Sequence, residues 1–229
     1  MGTSDDAMIA RGARERAGVA RWWGSTSITG GGTDGNEKLT AVNGAILIVL
    51  LAVIGFTIPQ LRQFIWLHLF MGLLLIGPVL LKMASTGYRF VRYYTHDFEY
   101  ERKGPPEIVL RLIAPLVVIS TVGVFITGIA LLIAGPTHRD PWLLLHKVTF
   151  IFWIAFTSIH ILGHLPVVAR SVGIVGPGQA QHAGTAGGAT GRWIALTGAL
   201  VGGAVLAIVL IPTFASWTAH SVFLHHHHH

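Results

Sequence analysis

Of 229 residues, 52% are hydrophobic and 11% charged, a balance that excludes an ordinary soluble domain and points to a multi-span membrane protein. There is no cysteine, which rules out disulfides, thiolate metal sites and cysteine nucleophiles. The formal net charge of +6 does not signal nucleic-acid binding, because the basic residues cluster at the ends of apolar runs, where membrane topology needs them.

Residues 1–40 are polar and glycine-rich, with Arg11, Arg14, Arg16, Arg21 and a Gly30-Gly31-Gly32 run. This composition predicts a mostly disordered cytoplasmic tail. A short helix through Arg11 to Trp23, resting on anionic lipid, is the alternative to a solvated tail. The first apolar run reaches span length only from Ala41, so it reads as a retained helix rather than a cleaved signal.

Five spans are predicted: Ala41 to Ile58, Phe64 to Leu81, Ile108 to Ala134, Trp142 to Ala169, and Trp193 to Phe214. Pro59 closes the first and Lys82 stops the second. The fifth carries Gly198, Gly202 and Gly203, which suggest a close helix contact. Residues 170–192 read as a flexible cytoplasmic linker, and 215–229 as an external C-terminus ending in a purification tag, His225 to His229. Placing the N-terminus inside collects the tail arginines, Lys38, Lys82, Arg89, Arg92, Arg102, Lys103, Arg111, Arg170 and Arg192 on the cytoplasmic side. Only Arg62, Arg139 and Lys147 are left outside. The segment from Ser85 to Glu107 is then a charged, aromatic cytoplasmic loop.

The fourth span holds His146, His160 and His164 within its apolar run. Ionisable groups at membrane depth are costly, face the bundle interior and mark function. At about 100° per residue all three share one face, and His160 lies about 21 Å from His146 along the axis. The second span carries His68, parallel to the fourth and at the depth of His146. Two histidines on different helices at one depth, without thiolates or carboxylates beside them, suit bis-imidazole ligation of a haem. Gly72, one turn below His68, leaves room for a flat macrocycle, and Arg62, Arg139 and Lys147 are placed to neutralise its propionates.

The histidines in WLHLFMG and LLLHKVTF, with the IHILGH ending of the same helix, resemble those of membrane-embedded b-type cytochromes. These are the cytochrome b561-like proteins and the cytochrome b subunits of formate dehydrogenases and nickel-iron hydrogenases. The resemblance covers about Leu39 to Ala169. It implies an all-α integral membrane fold, a four-helix haem-binding bundle over 41–169 with a fifth transmembrane helix added at 193–214. It further implies haem b, a bacterial inner-membrane location, and electron flow between the quinone pool and a redox partner, with a soluble redox subunit or quinol-linked reductase activity attached.

The pattern departs from a two-haem arrangement at one position. An inner haem on His160 or His164 needs a partner 14 residues beyond His68, and that residue is Lys82. One haem is the expected count; a second brings in Lys82 or, from the loop, His96. His160 and His164 also have metal-ligand spacing, for zinc or copper, without a carboxylate or cysteine beside them. The alternatives are a quinone pocket and, equally, structural hydrogen bonding across helices. The rival reading is a histidine-lined transporter or metal-handling protein without haem, but no intramembrane Asp or Glu accompanies the histidines.

Overall fold

The computed structural model describes residues 32–96, 98–102, 108–171 and 188–223, and is helical throughout, with no strand among the described residues. The long helices are α1 (Gly32–Thr57) and α2 (Leu61–Tyr94), then, after the short α3 (Phe98–Arg102), α4 (Ile108–Ala134), α5 (Asp140–Ser171) and α6 (Ala189–Phe223). The five long ones are apolar enough to cross a membrane. The tail over 1–31, the linker over 172–187 and the tag lie outside the described residues, as do Lys103 and the side chains of Arg102, His164, Arg170 and His220.

Three helices run well past the sequence reading. α6 spans Ala189–Phe223 rather than ending at Phe214, and α1 and α2 are extended too. α2 does not stop near Lys82 but continues to Tyr94. A charge marks where a helix leaves lipid, and nothing in Met83 to Tyr94 ends the helix itself. Pairs one turn apart support it there: the Phe90 and Tyr94 rings lie 4.5 Å apart, and the Arg92 guanidinium sits 5.9 Å over the Tyr88 ring. The helix ends at Tyr94; two residues on, His96 takes a φ of 59°, and its Nδ1 lies 2.6 Å from Glu101 Oε1. α1 likewise starts at Gly32, ahead of Ala41, because its polar first turns have partners on α2. Asn36 Nδ2 donates to the Ser85 carbonyl at 3.1 Å, and Lys82 Nζ donates to the Thr40 carbonyl at 2.8 Å. Asn43, fully buried, donates to the Pro78 carbonyl at 2.9 Å.

α6 is not an appendage to a four-helix core, since its contact with α2 is the most extensive in the molecule. Pro78 has no N–H, so the Leu74 carbonyl loses its helical donor. The backbone of Gly203 lies against that carbonyl, and Gly77 lies against the carbonyl of Ala199. A Cβ at either glycine would collide with backbone. Gly198 and Gly202 face open space, so of the three glycines in the fifth span only Gly203 makes the close contact. Leu73, Leu132, Ala207 and Phe214 form the buried core where α2, α4 and α6 meet. α4 pairs with α5 through the sharp connection at Gly135, whose φ of 70° needs no Cβ.

Candidate functional site

α1 joins α2 and α4 joins α5 closely, whereas α2 and α5 hardly touch. Between them lies a cavity of about 380 Å³, within the range of roughly 300–1,000 Å³ typical of cofactor and ligand sites. Its wall is apolar apart from a few groups: His68 and Lys82 from α2, His146, Thr157 and His160 from α5, and Thr86 and Thr121. His68 and His146, expected to face each other from parallel spans, line this one space.

Each ring is held from behind by a threonine. Thr57, the last residue of α1 and fully buried, places Oγ1 2.9 Å from His68 Nδ1 and donates its own proton to the Ile54 carbonyl. On α4, Thr127 places Oγ1 3.2 Å from His146 Nδ1 and donates to the Gly123 carbonyl at 2.7 Å. Thr149 lies 3.0 Å from the same hydroxyl. A threonine that gives its proton to the backbone carbonyl accepts from the ring, and in that arrangement Nδ1 carries the hydrogen and Nε2 keeps its lone pair. That is the tautomer that can bind a metal through Nε2. Gly128 completes the seat of His146, because a Cβ there would stand 3.1 Å from the ring's Cε1.

Gly72 lines the cavity as expected, with only Ile54 Cδ1 near its missing side chain, at 3.8 Å. Arg62, Arg139 and Lys147, the basic residues expected to neutralise propionates, are exposed and do not line the cavity. Lys147 follows His146 by about 100° around α5 and so turns off its face, while Arg139 Nε lies 3.7 Å from Asp140 Oδ1. Propionates would have to extend past the cavity rim to meet any of them.

Lys82 and His160 also line the cavity, each 14 residues beyond its histidine on the same helix. Lys82 is half-buried with Nζ on the Thr40 carbonyl, and Gly44 makes space for it, a Cβ there lying 3.2 Å from Nζ. It is thus turned into the bundle rather than toward headgroups. His96 is highly exposed and held by Glu101, which removes it as an inner ligand. Among the described residues no group of three or more His, Cys, Asp or Glu is placed to hold a metal ion; the side chain of His164 lies outside them, and with it the pairing of His160 and His164.

Thr57, Thr127 and Gly128 were missed from sequence, although a signal existed. A threonine inside an apolar span, at the depth of a histidine on another helix, is a group that needs a partner. No family description, curated protein or solved structure matches the chain.

Proposed function

We propose that the chain is a transmembrane b-type cytochrome that carries electrons between the quinone pool and a redox partner, with haem b held by His68 and His146. One observation carries this reading: two imidazoles from helices that scarcely touch line one apolar cavity, each with Nδ1 within hydrogen-bond reach of a threonine hydroxyl. With Nδ1 protonated, each ring would offer Nε2 to a six-coordinate iron, and Gly72 and Gly128 keep bulk away from the ligands. Haem iron, when bound, supplies one-electron chemistry between its ferric and ferrous states. The chain's own residues fix the ring orientation, exclude water with leucine and isoleucine walls, and hold a low dielectric around the site.

The bias of lysine and arginine toward one side supports an inner-membrane orientation with the N-terminus cytoplasmic. One haem is the count this site supports, because Lys82 is engaged with a carbonyl and His96 is held outside. Among the described residues no Asp or Glu lines the cavity, which argues against the rival proton or cation pathway. His68→Ala and His146→Ala each test the reading. Both variants should insert and run at the size of the parent, yet lose most of their haem. Unchanged haem in both would overturn the assignment.

A further inference from the structure

A second cavity of about 290 Å³ lies between α1 and α5, where the two helices meet far more thinly than α1 meets α2 or α5 meets α4. It shares Ile54, Phe150, Trp153 and Thr157 with the central cavity, so the two are contiguous. On its other side the wall is made by Ala52, Gly55, Ile154 and Ser158, all exposed on the lipid-facing surface. Gly55 has open space where a side chain would stand. At the junction sits Thr157, only 8% exposed, with its Oγ1 buried and no hydrogen-bond partner among the described residues. Threonines in helices ordinarily bond the carbonyl one turn back, and a lone hydroxyl in an apolar setting carries a desolvation cost. This one is therefore set for an acceptor that none of the described residues supplies. Lys82, which has N–H groups beyond the one given to Thr40, and His160 also line the central cavity.

We infer that the gap between α1 and α5 is a lateral portal from the bilayer, through which a quinone reaches the inner half of the cavity and hydrogen-bonds a carbonyl oxygen to Thr157. The choice of a quinone rests on the proposed cytochrome function. The chemistry of the site independently asks for a lipophilic, uncharged molecule with hydrogen-bond acceptors. An apolar passage opening to lipid excludes ions and sugars, and the polar groups beyond it include donors and no carboxylate. Lys82 and His160 face the far side of the head group.

The test is photolabelling of the full chain in lipid nanodiscs with a short-tailed azidoquinone, with haem absorbance per chain read on the same samples. The label should fall on α1 near Gly55 and on α5 near Thr157, and excess unlabelled quinone should compete it away. Thr157→Val, which keeps the shape and removes the hydroxyl, should weaken competition about fivefold, the worth of one neutral hydrogen bond. Gly55→Trp and Ser158→Trp, which block the opening, should abolish the label while haem absorbance stays at the parent level. Haem-loaded protein whose label falls elsewhere, or persists in both blocked variants, overturns the portal alone. Competition by phospholipid as effective as that by quinone assigns the opening to acyl chains and overturns it too. Colourless protein that still labels at Gly55 and Thr157 overturns the cytochrome reading and keeps the portal.

Discussion

At the scale of single residues, the site turns on two threonines rather than on the histidines alone. Thr57 and Thr127 have no place in a search for ligands, yet each places a hydroxyl within hydrogen-bond reach of a histidine Nδ1. Replacing either with valine keeps volume and removes the acceptor. Under the proposed function, each variant should bind haem about 10- to 100-fold more weakly in titrations of haem-free protein, the usual cost of losing a group behind a metal ligand. Equal affinities in parent and variants would show that the rings are oriented by packing. The histidines themselves were legible because an ionisable group in an apolar run stands out. Their threonine partners were not, since hydroxyls in transmembrane helices ordinarily satisfy themselves on their own backbone, and only the packing of α1 on α2 and α4 on α5 reveals the second contact.

At the scale of elements, all five apolar runs became helices, because length and hydropathy alone demand it in lipid. Their ends were harder to read. Lys82 marks where α2 leaves its most apolar stretch, but the helix continues to Tyr94 on aromatic and basic pairs that a hydropathy pattern does not score. The glycines of α6 illustrate the same limit: the sequence offers three candidates, and Pro78 on the partner helix selects Gly203 by freeing the carbonyl it covers. Gly77→Leu and Gly203→Leu should therefore each destabilise the protein, by at least the roughly 1–3 kcal/mol typical of overpacking. Gly202→Leu should be close to neutral. Thermal unfolding in detergent distinguishes the three, and equal melting temperatures would refute the close crossing.

At the scale of the whole molecule, α6 clamps α2 from one side while α4 holds α5, and the two halves leave the cavity between them. Gly72 sits on that cavity with no tight contact, so Gly72→Leu should fill it without disturbing the fold. The expected result is a normal melting temperature in haem-free protein together with a marked fall in haem uptake; normal uptake would mean the cofactor lies elsewhere. Lys82→Ala should leave the number of haems unchanged, because Lys82 is bound to the Thr40 carbonyl rather than standing as a ligand. The most direct measurement is an absorption spectrum of purified protein, oxidised and then reduced with dithionite, with a haem count per chain. It is best made after removing His225 to His229, whose imidazoles would themselves bind haem. The account predicts a sharp Soret band, split visible bands on reduction, and one haem per chain. A flat visible spectrum from cells supplied with haem would contradict it.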